Sequence, residues 1–248
     1  MTKLSIDLNC DLGEGCDNDA ALMPLLSSAN IACGYHAGDI DTMKRTVDLA
    51  LEHGVAIGAH PGYRDRENFG RTEMTLTADE VRYLVGEQIV TLREIAASAG
   101  GRISHVKPHG ALYNQSAKDP ELAEVIAETV REIDSNLVLY GLSGSHSVSE
   151  AEKAGLTTAA EVFADRTYQT KGNLTPRTQS NALITNENTA VEQVLDMIKY
   201  GRVRSTDAIM IPIIAETVCV HGDGERAVEF ALMINQRLRE NGILITAR

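Results

Sequence analysis

The chain has 248 residues, of which 43% are hydrophobic and 23% are charged, as in an ordinary globular protein. Its formal net charge of −12 argues against nucleic acid or an anionic membrane surface as a partner, because both repel an acidic protein. The longest apolar run, 208–215, is far shorter than the roughly 20 residues of a membrane-spanning helix. The first residues lack the apolar stretch of a secretory signal, so we expect a cytoplasmic protein.

Short strand-like runs alternate with helical patterns along the whole chain. The expected strands are Leu4–Leu8, Ala29–Ala32, Val55–Gly58, Ile103–Val106, Leu137–Tyr140, Thr157–Phe163 and Ile209–Val220. Residues typical of helix N-caps precede three of the helical patterns, at Asp39, Thr77 and Asp119. Segments 190–200 and 225–241 are also predicted to be helical.

This alternation predicts an α/β fold with a parallel sheet covered by helices. The sheet could be a closed barrel or an open doubly wound sheet. About seven repeating units and a uniform composition favour one irregular (β/α) barrel of about seven parallel strands. We expect a single barrel domain over residues 1–248.

Polar side chains suited to proton transfer or ion binding follow the predicted strands at their carboxyl ends. They are Asn9, Asp11 and Glu14, then His36 and Asp39, His60 and Arg64, His105, Lys107 and His109, Asp165 and Arg166, and finally His221 and Asp223. In a barrel, all strand carboxyl ends open onto one face, so these side chains are predicted to meet there.

Two local patterns are weak indications of a ligand. His105 and His109 have a spacing that suits a metal on a helix, but Pro108 and the preceding strand argue against a helix there. The string from Gly222 to Ala227 resembles a dinucleotide fingerprint, yet the chain ends before the required next strand. No phosphate-binding P-loop motif occurs, so the sequence shows no ATP site of its own.

Long motifs in a fixed order resemble those of the LamB/YcsF family over nearly the whole chain. They are DLNCDLGEG (7–15), SANIACGYHAGD (28–39), GAHPGYRDRENFGR (58–71), VKPHGALY (106–113), ADRTY (164–168), LTPR (174–177) and CVHGD (219–223). The resemblance implies a barrel similar to that of polysaccharide deacetylases. It also implies the A subunit of an ATP-dependent 5-oxoprolinase, which opens 5-oxo-L-proline to L-glutamate with ATP as co-substrate and works with separate B and C subunits.

The resemblance and the hydrolytic chemistry together indicate roles for the strand-end residues. A carboxylate or imidazole must take a proton from water, and a second group must protonate the departing ring nitrogen. Asp11 or His109 is predicted to be the base, and His60 or His221 its partner. Positive charge for the substrate is expected from Lys107, Arg71, Arg166 and Arg177, and further substrate contacts from Asn9, Glu14, His36 and Asp223.

Two other functions fit the same residues. One is a metal-dependent amidohydrolase or carbohydrate deacetylase, in which Asp11, His36 and His60 would hold a divalent ion. The other is a subunit that carries or senses lactams or sugars without catalysis. The clustering of acids and histidines argues against the carrier, because binding alone does not require so many proton-transfer groups. Whether the protein holds a divalent metal stays open.

Overall fold

A computed structural model describes residues 4–222 and 226–248. The strands are β1 (Ser5–Leu12), β2 (Ser28–Ala32), β3 (Ala56–His60), β4 (Ile103–Val106), β5 (Val138–Leu142), β6 (Thr158–Phe163), β7 (Arg202–Arg204), β8 (Met210–Pro212), β9 (Thr217–Val220) and β10 (Leu244–Ile245). The helices are α1 (Asp19–Leu22), α2 (Ile40–His53), α3 (Ala78–Ser98), α4 (Gly110–Ser116), α5 (Pro120–Ile133), α6 (His146–Lys153), α7 (Glu187–Tyr200) and α8 (Ala227–Glu240).

The central sheet closes into a barrel. Strands β1 to β6 pair in sequence order, each parallel to the next, and β9 pairs in parallel with both β6 and β1. The short β10 adds a parallel pairing to the start of β1. The predicted barrel of about seven parallel strands is therefore confirmed, and all its carboxyl ends lie at one mouth.

The predicted helix caps are present. The Asp39 carboxylate accepts a hydrogen bond from the Thr42 amide at 2.8 Å, and Thr77 and Glu80 form a reciprocal capping box. The Asp119 carboxylate caps α5 by accepting hydrogen bonds from the Glu121 and Leu122 amides. Within residues 4–222 and 226–248, no helix has the length and apolar character needed to cross a membrane.

The barrel interior is polar, in contrast to the aliphatic interiors of many barrels. Along β1 the even-numbered residues Ile6–Leu12 belong to the apolar core, whereas Asp7, Asn9 and Asp11 bond to side chains of other strands. Asp7 accepts hydrogen bonds from Ser28 at 2.7 Å and from Thr217 at 2.6 Å. Every second residue of the strand thus contributes to a buried hydrogen-bond network beneath the mouth.

Two predicted strands differ from the observed ones by more than two residues. The first continues to Leu12 rather than ending at Leu8, because its alternate polar residues are satisfied inside the barrel. The run 209–220 is not one strand. Pro212 cannot donate a hydrogen bond to an inner ladder, so β8 forms an outer antiparallel hairpin with β7, and only Thr217–Val220 enters the barrel.

Candidate functional site

A cavity of about 430 Å³ lies at the carboxyl ends of the barrel strands, and we call it the mouth cavity. Its volume suits a small metabolite. The predicted site residues that line it are Asp11, Glu14, His60, Arg71, Lys107, His109, Arg166, Arg177 and His221. The topology therefore brings together residues that lie far apart in the sequence, from Asp11 on the first strand to His221 after the last barrel strand.

The other predicted site residues lie elsewhere. Asn9 is fully buried one layer below the cavity, where its amide donates to Glu161 at 3.0 Å. This position makes Asn9 a support for the site rather than the substrate contact that we expected. His36 lies behind the lining, with its ring stacked on that of His109 at 3.8 Å between centroids. Asp223 lies outside the described residues.

Lys107 lies at the centre of an ionic network on the floor of the cavity. Its Nζ lies 2.9 Å from Asp11 Oδ1 and 2.8 Å from Glu161 Oε1, and also contacts Asn9 and Cys219. Burial acts to lower the pKa of Lys107, but the nearby anionic groups, led by Asp11, outweigh it and hold the pKa well above its usual value. Lys107 is therefore a fixed cation and not a proton acceptor.

Asp11 links this network to the histidines. Its Oδ1 also accepts from Asn30 at 2.8 Å, while its Oδ2 lies 3.4 Å from His60 Nε2. Burial acts to raise the pKa of Asp11, but His60 and Lys107 outweigh it and keep the pKa well below its usual value. The carboxylate is ionised at neutral pH.

The hydrogen bonds of His60 and His109 define where their protons lie. His60 Nδ1 donates to the Lys107 carbonyl at 2.7 Å, and His109 Nε2 donates to the Phe69 carbonyl at 2.9 Å, because a carbonyl oxygen only accepts. The remaining nitrogens, His60 Nε2 and His109 Nδ1, face each other at 2.8 Å. Burial, followed by the charge of His60, lowers the pKa of His109 to about 3. Two lone pairs at this distance repel unless a proton or another cation lies between them.

Glu14 and His36 complete a group that can hold a metal ion. One ligand atom from each of Glu14, His36, His60 and His109 lies within 4.8 Å of the others. Glu14 Oε1 is 3.4 Å from His36 Nε2 and 3.3 Å from His109 Nδ1. Three imidazoles and a carboxylate suit zinc or a similar divalent ion.

The surroundings of this group also fit a metal. In metal sites the second ring nitrogen of a histidine ligand usually donates to a carbonyl or carboxylate, as His60 and His109 both do. His36 is held against Gly62 and Gly70, where an added Cβ would lie 2.6 Å from His36 Nδ1 and 2.8 Å from His36 Cβ, respectively. We call Glu14, His36, His60 and His109 the histidine cluster.

The cluster differs from the ligand set expected from sequence. Asp11 was expected as a ligand, but Lys107 and Asn30 occupy its Oδ1, and Glu14 and His109 lie in the group instead. His105 is not a member, because its ring stacks on Tyr140 and its Nε2 bonds to Asn30 inside the barrel. As predicted from Pro108, His109 precedes a helix rather than lying within one.

On the opposite wall of the cavity, three polar side chains are linked by hydrogen bonds. Arg177 donates to His221 Nε2 at 2.8 Å, and His221 Nδ1 donates to the Asp165 carboxylate at 2.8 Å. The Phe163 ring lies against the His221 ring at 5.8 Å between centroids. Arg166 is buried beside these three side chains and donates a hydrogen bond to the Thr175 carbonyl. Arg71 lies at the rim, with its guanidinium over the Phe69 ring.

Two residues important to this geometry had no predicted role. Asp165 was noted only as a strand-end residue, although it orients His221. Glu161 is fully buried in β6 and pairs with Lys107. A single acid in the otherwise uncharged strand TAAEVF was the available signal, since buried carboxylates are nearly always paired.

Comparison with known proteins agrees with the fold and the motifs. The sequence matches the LamB/YcsF family over residues 6–248. The structure is similar to that of a lactam utilization protein from Thermus thermophilus, with 38% identity and a TM-score of 0.93, covering 99% of this chain and 100% of that one.

More distant proteins share the barrel. A putative cellobiose-phosphate cleavage protein from Enterococcus faecalis has 16% identity and a TM-score of 0.60, covering 99% of this chain and 97% of that one. A family 4 carbohydrate esterase from Streptomyces lividans has 15% identity and a TM-score of 0.51, covering 97% and 91%. These two show the fold alone. The family match and the close structural relative show that this chain belongs to the LamB/YcsF family.

Proposed function

We propose that this chain is the A subunit of an ATP-dependent 5-oxoprolinase, a hydrolase that opens 5-oxo-L-proline to L-glutamate together with separate B and C subunits. The main support for the proposal is the mouth cavity, whose lining combines groups that can transfer protons with the side chains of Arg166 and Arg177. A lactam acid needs both, since its amide must be hydrolysed and its carboxylate must be bound. The lactam utilization protein at 38% identity supports the same substrate class.

The requirement for ATP follows from the chemistry of the lactam. An unstrained five-membered lactam is stabilised by resonance and is a poor electrophile. Transfer of the γ-phosphoryl group of ATP to the carbonyl oxygen releases ADP and gives an imidate-like carbon. Water then attacks this carbon, the ring C–N bond breaks as the nitrogen takes a proton, and a second water hydrolyses the acyl phosphate to glutamate and phosphate.

The proposal divides these steps between subunits. The family resemblance assigns phosphoryl transfer to B and C and ring opening to this chain, and the lack of a P-loop motif in this sequence agrees with that division. The Asp11 carboxylate at the cavity surface is the proposed proton acceptor, and Lys107 is a fixed cation beneath it. Because ATP is a cytoplasmic metabolite, this function implies a cytoplasmic location.

Reconstitution tests the proposal. The purified chain should form no glutamate from 5-oxoproline, with or without ATP, and glutamate should appear when B and C subunits are added. Asp11→Asn in the complete complex should reduce turnover on the order of 100-fold or more, as expected for loss of a general base. ATP-dependent turnover by the isolated chain would show the division between subunits to be wrong.

A second candidate function is metal-dependent hydrolysis of an amide without ATP. The histidine cluster is the observation that favours it. A divalent ion held there would polarise a carbonyl oxygen and lower the pKa of a bound water. The discriminating measurement is hydrolysis of 5-oxoproline and of N-acetylated sugars by the zinc-loaded chain alone. Turnover without ATP supports the second function, and its absence beside an active three-subunit complex supports the first.

A further inference from the structure

The wall of the mouth cavity opposite the histidine cluster carries two guanidinium groups. Arg166 is only 6% exposed, and its Nε has no hydrogen-bond partner among the described residues. Among the described residues, the one hydrogen bond of the Arg166 side chain is donated to the Thr175 carbonyl, at 2.6 Å. Within residues 4–222 and 226–248, neither Arg166 nor Arg177 forms an ion pair with a carboxylate. The nearby Asp165 carboxylate acts on Arg166 through its charge but is hydrogen-bonded to His221. A buried guanidinium without a direct ion pair is costly, so this arrangement indicates a ligand with negative charge.

The two guanidiniums also act on each other. Burial, followed by the positive charge of Arg177, lowers the pKa of Arg166, although the negative charge of Asp165 acts in the opposite direction. Two like charges on one wall are stabilised when an anion binds between them. A planar guanidinium forms paired hydrogen bonds with a carboxylate or a phosphoryl group, which makes it the side chain best suited to either.

His221 holds Arg177 in place. An arginine only donates hydrogen bonds, so His221 Nε2 must accept from Arg177 through its lone pair. The proton of the ring then lies on Nδ1, which donates to the Asp165 carboxylate. Both ring nitrogens are engaged, so His221 has no free position from which to take a proton. This geometry disfavours the role of catalytic partner that the sequence suggested for His221.

We propose that Arg166 and Arg177 form an oxyanion-binding clamp for the substrate, and that His221 and Asp165 are positioning residues that aim Arg177 into it. The inference rests on the proposed function and names the part of the site that recognises the charged end of the ligand. That end is a single oxyanion, either the carboxylate of the lactam acid or the phosphoryl group of its activated form.

Calorimetric titration of the isolated chain tests the clamp without any partner subunit. The probes are 5-oxoproline, inorganic phosphate and the neutral lactam 2-pyrrolidinone. Arg177→Ala and Arg166→Gln should weaken binding of the preferred anion by roughly 10- to 100-fold, the loss expected for a charge-assisted hydrogen bond. Arg131→Ala, an exposed position on α5, is the matched control and should bind like the wild type. Binding of 5-oxoproline but not phosphate identifies the carboxylate as the ligand group, and the reverse identifies the phosphoryl group.

Variants of His221 separate positioning from proton transfer. His221→Ala should weaken anion binding as much as Arg177→Ala does, and the double variant should be no weaker than either single one. His221→Gln should bind nearly as the wild type, because its amide can donate to Asp165 and accept from Arg177 but cannot carry a proton. Arg177 is exposed, so its variant tests the clamp even if Arg166→Gln fails to fold.

Several results would overturn the clamp. One is that the wild-type protein binds neither anion at millimolar concentration. Another is that Arg177→Ala or His221→Ala binds the anion with wild-type affinity. A third is that the arginine variants weaken binding of 2-pyrrolidinone as much as binding of the anion. Glutamate formation by the three-subunit complex is measured separately. Normal glutamate formation together with Arg-independent anion binding would reject the clamp and retain the proposed function.

Discussion

His60 and His109 direct two ring nitrogens at each other, with 2.8 Å between His60 Nε2 and His109 Nδ1. Each ring donates its other N–H to a backbone carbonyl, so both facing nitrogens carry lone pairs when the rings are neutral. A shared cation relieves this repulsion, and the neighbouring Glu14 carboxylate favours one. The close approach of these two side chains therefore predicts that a bound cation stabilises the protein.

We predict that the protein binds a divalent ion at the histidine cluster. Zinc should raise the melting temperature of metal-free protein, because a ligand present at roughly 1,000 times its Kd stabilises the native state by about 4 kcal/mol. His60→Gln and His109→Gln should each lose most of this shift and most of the metal found by elemental analysis.

His146→Gln is the control for the metal prediction. Its side chain is 48% exposed on α6 and lies 4.0 Å from its nearest acidic partner, Glu150. This variant should retain both the zinc-dependent shift and the bound metal. A wild-type protein that melts at the same temperature with zinc and with a chelator would contradict the metal assignment.

Replacement of Gly70 by alanine should disturb the histidine cluster, although Gly70 is not one of its members. Gly70 has φ 65°, and an added Cβ would lie 2.8 Å from His36 Cβ and 2.9 Å from His109 Cδ2. Gly100 also has positive φ, at 82°, but has open space where a Cβ would be added. Both alanine variants should lose about 1–2 kcal/mol of unfolding free energy from backbone strain.

Only Gly70→Ala should show a further effect. The added methyl group must displace two rings, so we expect a larger loss of stability than in Gly100→Ala, together with a reduced zinc-dependent melting shift. Chemical denaturation and the zinc titration measure the two quantities. Equal behaviour of the two variants would mean that the rings move without cost and that their arrangement is not required.

Lys107→Met should destabilise the barrel, because it leaves Asp11 and Glu161 buried without their shared cation. Loss of one partner of a buried ion pair typically costs about 3–5 kcal/mol of unfolding free energy. Adding Glu161→Gln to Lys107→Met should recover part of this loss by removing one unpaired carboxylate. Urea denaturation measures both changes.

The exposed pair of Lys153 and Glu150 provides the matched control. Its N–O distance of 2.9 Å equals that between Lys107 and Asp11, but the Lys153 side chain is 70% exposed. Lys153→Met should change the unfolding free energy by no more than about 1 kcal/mol, since water screens the charges. Comparable losses in the two methionine variants would show that Lys107 is not held by its buried ionic partners.

The sequence by itself determined the class of fold and the region of the site. Alternating strand and helix patterns indicated the barrel, and local caps such as the Thr77–Glu80 box indicated helix starts, because these signals depend on neighbours a few residues away. The polar residues at strand ends indicated one mouth, since parallel strands align their carboxyl ends.

Only the tertiary structure decided which polar residues act together. Asp11 and Glu14 are close neighbours in the chain, yet Asp11 pairs with Lys107, which directly follows β4, while Glu14 joins three histidines. His221 forms hydrogen bonds with Asp165 and Arg177, which are 56 and 44 positions away in the sequence. Side-chain pairing across a barrel depends on strand register and on the packing of loops over the mouth. These are properties of the closed sheet as a whole, and no local pattern in the sequence carries them.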